Sequence, residues 1–405
     1  MSGTPVDMPT YPKARGRCPF HPPQEYGQWR EAEGLTKVRL WDGRQAWVAT
    51  RIDYLRRILA DDRFSVEWSH PGMPTISEGT SAPTPTRTSL LRKDDPEHAR
   101  LRRMIARDFT GRRVAALRPR IEQACAGLLD DMARREPPVD LVPAYTHAAP
   151  ALIACEILGV PFDETGYFRD RISTMMTPNA SREQTLAAGR DLQAYLGELM
   201  RRKRGVPGED TYSRLVNTHL ANGDITEDEC VVMAILLLVA GYENTASMIA
   251  MSFLVLSEHP EQLALVRDTD DPAVVATAVE NLLRYMSVIE NNLNRVALAD
   301  VEIDGHLIRA GEGVILNVPA ANRDPRAFAA PDVLDVTSVE PDRHIAFGAG
   351  VHQCVGQTLA RAELQVALPM LLRRFPGIRP AVAIDDLALK QNPLIVGVDA
   401  LPVTW

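Results

Sequence analysis

One stretch of this chain limits the possible folds more than any other. Thr226 and Glu229, three residues apart, make a capping-box pair, and behind them every residue from Cys230 to Gly241 is apolar or glycine. A run of that length suits a buried core helix better than a membrane span. Carried on to Ser257, the helix would be roughly 45 Å long at 1.5 Å per residue and would cross the whole molecule. Tyr242, Glu243, Asn244 and Thr245 interrupt it in the middle. Buried polar groups cost free energy unless they are bonded, so these four need a reason to be there.

The bulk of the chain is compatible with such a core. It has 405 residues, 45% hydrophobic and 24% charged. That length alone is a soft argument for two or three domains. No other feature suggests a membrane span, and Met1 to Arg17 lacks the apolar segment of a secretory signal. Cys18, Cys125, Cys155, Cys230 and Cys354 form no close pair and no metal-knuckle spacing. An odd, scattered set argues against a disulfide framework and for a reducing cytoplasm. A net charge of −8 disfavours nucleic acid and anionic membranes as partners.

The proline-rich first thirty residues read as an extended wrap. Val38–Trp41 and Ala46–Val48 flank Asp42-Gly43 as a hairpin, and Val301–Ile303 and His306–Ile308 flank Asp304-Gly305 as a second. Helical periodicity marks Glu97–Phe109, Val114–Arg134, Ala151–Leu158, Arg182–Lys203 and Ala273–Tyr285. Trp68–Thr88, with four prolines, reads as a long loop, and long loops in compact domains are usually functional or disordered.

The strongest chemical signal is Phe347-Gly-Ala-Gly-Val-His-Gln-Cys-Val-Gly356. Its glycines let the backbone bend tightly and approach a large planar ligand. Helical sequence follows, from Gln357 to Leu372. A cysteine entering a helix N-terminus meets amide donors and the positive dipole end, which favour its thiolate. A lone cysteine would more often be an inert core residue; the fixed positions around this one reverse that reading.

These residues resemble the heme-binding loop of the cytochromes P450, and the likeness runs from the Cys18-Pro-Phe region to Leu401-Pro-Val-Thr-Trp405. It is greatest to the soluble actinobacterial branch that tailors small-molecule natural products. The resemblance implies a mainly α fold, a helix-rich prism with a small β-rich lobe, in a single domain over residues 1–405. It implies heme b (iron protoporphyrin IX), with Cys354 as the iron ligand and Phe347 and Gly356 in the loop beneath the porphyrin. Thiolate ligation favours O–O cleavage on heme iron. Electrons would come from NAD(P)H through a reductase and a ferredoxin. His98, in Asp95-Pro-Glu-His98, and Arg102 match the segment that bonds the heme propionates; Arg295 and His352 match two further contacts. Carboxylates at a heme edge need such cationic donors. Arg100, Arg102, Arg103, Arg107, Arg112 and Arg113 suggest a basic patch that steers an acidic ferredoxin, with a solvated helix face as the alternative. A cytoplasmic monomer is the expected state.

Three positions depart from the family pattern. Ala240-Gly241-Tyr242-Glu243-Asn244 stands where the family usually has Ala/Gly-Gly-x-Asp/Glu-Thr. The hydroxyl that normally helps pass protons is therefore an amide. Thr245 lies roughly 100° further round the helix, and turning it inward would need a local bulge. The family's Glu-x-x-Arg is Asn281-Leu-Leu-Arg284, with Glu280 one residue early, and the arginine of the later Pro-Asp/Glu-Arg segment is Val333. Losing one member of a buried charge pair is strongly destabilising, while losing both can be nearly neutral. Asn281 and Val333 are thus read as two halves of a rebuilt brace.

The first functional reading is a monooxygenase acting on a small-molecule natural product, with Glu243 and an ordered water carrying protons and Asn244, next to Thr245, orienting the water. A second is radical C–C or C–N coupling of an aromatic substrate, such as an indole-containing cyclic dipeptide. A non-catalytic heme sensor and a direct gas reductase are further readings. Substrate contacts are expected from Leu236, Val239, Ala240, Val288, Ile289, Asn292 and Ile395, and from the Trp68–Thr88 loop and Met175–Pro178. Asn291, Asn292 and Asn294 make a polar cluster suited to amide groups.

Overall fold

The apolar run becomes the axis of the molecule. The structure, a computed structural model, describes residues 8–16, 18–81, 88–161, 164–176, 181–339, 343–390 and 394–405. Among these the helices are α1 (Gln24–Ala32), α2 (Ile52–Ala60), α3 (Glu97–Ala106), α4 (Gly111–Ala133), α5 (Ala148–Leu158), α6 (Thr165–Met176), α7 (Arg182–Lys203), α8 (Thr211–Arg214), α9 (Glu227–Ser257), α10 (Pro260–Asp268), α11 (Pro272–Met286), α12 (Val318–Ala321) and α13 (Gln357–Arg374).

α9 begins as its sequence dictates. The Thr226 hydroxyl accepts from the Glu229 amide at 3.1 Å, and the Glu229 carboxylate accepts from the Thr226 amide at 2.9 Å. Both reciprocal bonds of the capping box are made. Because α9 has no polar face, it is wrapped by α5, α7, α10, α11 and α13. By length and composition it could cross a membrane, yet most of it is buried inside the protein. Ile249, Leu254 and Val255 of α9 share one core with Ile121 and Leu129 of α4 and with Leu364 and Leu368 of α13. Each such side chain contributes about 1.5–3 kcal/mol relative to exposure.

The strands are short. They are β1 (Leu35–Arg39), β2 (Gln45–Ala49), β3 (Phe64–Ser65), β4 (Val139–Asp140), β5 (Asn294–Ala297), β6 (Val301–Ile303), β7 (His306–Ile308), β8 (Gly313–Leu316), β9 (Arg379–Pro380) and β10 (Pro402–Thr404). The main sheet has the order β1-β2-β8-β5-β3, with β2 and β8 parallel. β6 and β7 form the second expected hairpin, turning through Asp304 and Gly305, both at positive φ. The N-terminal wrap is tied to β1, with Tyr11 and Arg39 exchanging backbone bonds with Arg39 and Pro9. Most expected helices form within a few residues of their predicted bounds. Two differ in kind: Arg107–Phe109 continues α3 as a 3₁₀ turn, and a π-helical turn at Val142–Thr146 leads into α5.

The brace is built differently from the expectation. The Val333 side chain faces solvent, 57% exposed, and only its carbonyl meets Arg284, at 3.2 Å. Arg284 also donates to the carbonyls of Asn322 and Pro331. The residue opposite Asn281 is Ser338, whose carbonyl accepts from the Asn281 amide at 2.9 Å. Val333 is therefore not the counterpart of Asn281, because its Cβ points away from that site. Glu280 binds Arg361 at 2.6 and 2.9 Å and His344 at 3.0 Å. Those bonds outweigh the cost of its burial and hold its carboxyl down at about 2.

Candidate active site

The cysteine loop is shaped by its glycines and closed by its own backbone. Gly348 and Gly350 have φ of 70° and 71°. A Cβ on Gly350 would stand 2.2 Å from the Leu59 carbonyl oxygen, so no other residue fits there. The Cys354 amide donates to the Phe347 carbonyl at 3.0 Å, and α13 starts three residues beyond Cys354. The sulfur is accessible to solvent yet densely surrounded by protein. Burial lifts the thiol above its ordinary range, while the amides of Gly356 and Gln357 and the charges of Arg102 and Arg361 pull it back. Phe347 packs under the guanidinium of Arg361, 4.5 Å away.

Beside this loop lies a cluster of histidines and arginines. Arg102 of α3 donates to the Gln353 carbonyl at 2.7 Å, which fastens α3 to the loop. The His98 and His352 rings stack with centroids 4.0 Å apart. His98 Nε2 and His352 Nδ1 are buried and have no hydrogen-bond partner. Burial holds His352 near 3, helped by the charges of His98, Arg295, Arg102 and Arg92. Arg295, on β5, is buried and has its pKa lowered to about 10 by that burial; its side chain donates to the Asn294 carbonyl.

Above the core, one stripe of α9 is open. Leu237, Gly241 and Asn244 are partly accessible and Ala240 is exposed, while Leu236, Leu238, Tyr242 and Glu243 are buried. These positions follow the i, i+3, i+4, i+7 spacing of a single helix face. Asn244 donates to the Ala240 carbonyl at 3.3 Å, and its Oδ1 is buried without a partner. Thr245 is 6% exposed and lies off this face; the helix is regular there, without the bulge needed to turn it inward. Glu243, 3% exposed, is turned aside as well: its carboxylate pairs with Lys390.

Comparison with known proteins settles the family. The family model described as cytochrome P450 matches residues 176–384. Pentalenic acid synthase of Streptomyces avermitilis is 41% identical over 405 residues, covering 100% of this chain and 99% of that one. The chain belongs to the cytochrome P450 family. The 20-oxo-5-O-mycaminosyltylactone 23-monooxygenase of Streptomyces fradiae is 40% identical over 396 residues, covering 98% of this P450 chain and 92% of its relative. The crystal structure of GfsF superposes with a TM-score of 0.93 at 40% identity, over 98% of this chain and 100% of that one.

The residues of this P450 suit the heme that its family carries. Two orphaned imidazole nitrogens and a tight group of arginines are what two propionates would satisfy. The glycine-bent loop presents a thiol just ahead of a helix N-terminus.

The candidate substrate residues divide into two groups. Val288, Ile289 and Glu290 run beside Leu394, Ile395 and Val396 as a short antiparallel ladder, which brings Val288, Ile289 and Ile395 together. Val239 is partly accessible, whereas Leu236 is 5% exposed and belongs to the core. The asparagine cluster is not one polar surface: Asn291 accepts from Tyr11 and Asn294 donates to the Pro74 carbonyl, both buried, and only Asn292 is open. Within the Trp68–Thr88 loop, residues 82–87 lie outside the described residues, as do 177 and 178 at the end of the Met175–Pro178 segment.

Three neighbours escaped sequence reasoning. Lys390 binds Glu243 and also approaches Ser247 at 3.3 Å and His147 at 3.4 Å. His147 in turn meets the Tyr242 hydroxyl at 2.7 Å. Arg92 joins the cationic cluster. Lys390 had one visible signal: it is the one lysine after Lys203 in an arginine-dominated chain, set in the apolar run Leu387-Ala-Leu.

Proposed function

We propose that this chain is a heme-thiolate monooxygenase that inserts oxygen into a small-molecule natural product. One observation carries the reading: a glycine-bent cysteine loop at the start of α13, flanked by two orphaned imidazole nitrogens and by Arg102 and Arg295, with an open stripe on the adjacent α9. Heme bound at Cys354 supplies the activation of dioxygen, which no side chain can perform alone. The protein's part is to hold, exclude and deliver. His98, Arg102, Arg295 and His352 anchor the porphyrin carboxylates. The amides of Gly356 and Gln357 share the charge of the cysteine sulfur. Val239, Ala240 and Ile289, backed by the buried Val288 and Ile395, offer the apolar wall that positions substrate and keeps water out. Asn244 presents its free acceptor to a water or to a substrate hydroxyl or N–H. Glu243 exchanges protons with that site after leaving Lys390. Thr245 has no role there, being buried off the open face.

Electrons arrive from NAD(P)H through a reductase and a ferredoxin. α3 runs along the cysteine loop, and Arg103, Arg107, Arg112 and Arg113 are exposed on it and on the start of α4. Arg100 and Arg102 are used internally instead. An acidic ferredoxin would be steered to this face. The protein acts in the cytoplasm, as a monomer. Relatives named for their reactions include a monooxygenase, and no contact here favours radical coupling or a sensor.

The test is turnover with a surrogate ferredoxin, its reductase and NADPH under heavy-isotope dioxygen, across a panel of terpenoid and macrolide candidates. Incorporated label supports the proposal. A dimeric product without label would replace it with coupling.

A further inference from the structure

We propose that Arg92 is a fifth cofactor-anchoring residue, pairing with a heme propionate beside His98, Arg102, Arg295 and His352. The inference rests on the heme assignment above. Arg92 closes the 3₁₀ turn Leu90–Arg92 just ahead of α3. Two neutral groups orient its side chain: Nη2 donates to Asn292 Oδ1 at 3.1 Å, and the guanidinium lies 5.2 Å from the centroid of the Trp68 ring. Among the described residues no carboxylate forms an ion pair with it. Burial lowers its pKa to about 10.

Its position supports this. Asn292, which accepts from Arg92, lies three residues before Arg295, and Arg92 itself lies six residues before His98. Arg92 also acts electrostatically on Arg295. Among the described residues the Arg295 side chain bonds only the Asn294 carbonyl. Like charges collected in a crowded interior repel unless an anion meets them. The acids of this segment are already engaged. Asp94 accepts from the Ser65 hydroxyl and the Val66 amide; Asp95 accepts from the Ala99 amide and meets His98 Nδ1. The fork of Arg92 spends one N–H on Asn292 and keeps the rest for an external anion. On the heme assignment, a porphyrin carboxylate is the anion that would meet Arg295 and Arg92.

The experiment measures heme transfer to apomyoglobin from full-length wild type, R92Q and R92K, each loaded either with heme or with its dimethyl ester. R92Q should lose heme about tenfold faster than wild type, with R92K between them. R92K also carries the comparison if R92Q fails to fold. With the ester, which has no carboxylate, the variants should match wild type. Equal heme loss from R92Q and wild type overturns the assignment. So does an acceleration of the same size with heme and ester, because that is a structural effect. Normal heme retention with weakened binding of a fatty acid would give Arg92 to an anionic substrate instead. In each of these cases the heme assignment stands; a wild type that binds no heme would sink that assignment itself.

Discussion

Glu243 and Lys390 form an ion pair in the interior, their side chains 5% and 10% exposed. The pair joins the middle of α9 to the segment between β9 and β10, and Gly397 leaves room for it: a Cβ there would stand 3.0 Å from Lys390 Cδ and 2.9 Å from Ser247 Oγ. Removing one partner of such a pair strands the other charge in a poor solvent. K390M should therefore destabilise the protein by about 3–5 kcal/mol, and E243Q/K390M should recover most of that loss. Denaturant unfolding of the heme-loaded protein measures both. A K390M variant as stable as wild type would contradict the pairing.

The rebuilt brace makes a prediction that separates two positions. N281E replaces an amide donating to the Thr277 and Ser338 carbonyls with a carboxylate facing them. At 1% exposure this should cost about 2–4 kcal/mol. Adding S338R puts a long, flexible guanidinium on the segment whose carbonyl faces position 281 and should restore part of the loss. Adding V333R should restore none, because that side chain points into solvent. Thermal unfolding of the three variants decides it, and rescue by V333R would refute the geometry.

Glu280 gives the fold an acid-sensitive joint. Its carboxyl is held at about 2 against an ordinary 4.5, because bonds from His344 and Arg361 outweigh burial. A depressed pKa stabilises the native state above the unfolded value and loses that contribution as pH falls toward the folded one. Wild type should therefore lose about 2–3 kcal/mol between pH ~4.5 and ~2 through this residue. E280Q should be less stable at neutral pH and show a correspondingly flatter acid limb. Parallel acid limbs for the two proteins would show that Glu280 is not linked to folding.

Gly350 should tolerate no side chain. G350A forces a Cβ against the Leu59 carbonyl and holds alanine at a φ of 71°. Relief requires moving either α2 or the cysteine loop, at a cost of about 1–3 kcal/mol. The expected result is a lower unfolding midpoint together with reduced heme content per chain. Full heme occupancy with unchanged stability would show that the loop has slack.

Much of this was legible in the residues. The capped apolar run announced α9, and the glycines and cysteine of 347–356 announced the loop, because local chemistry fixes both. The partners of Glu243 and Asn281 were not legible. Lys390 and Ser338 are 147 and 57 residues away in the chain, and only the tertiary fold decides which side chain arrives. Position 333 was misassigned for the same reason: a motif gives the order of residues, not the direction of a Cβ. The asparagine cluster failed because Tyr11, from the N-terminal wrap, consumes Asn291.

The most direct test of the central claim is the absorption spectrum of the reduced, carbon-monoxide-treated protein, recorded beside C354A. Wild type should show the long-wavelength Soret band of thiolate-ligated heme, and C354A should lose it. A wild-type band at the shorter wavelength of a histidine-ligated heme, or a long-wavelength band that survives in C354A, would contradict Cys354 as the iron ligand.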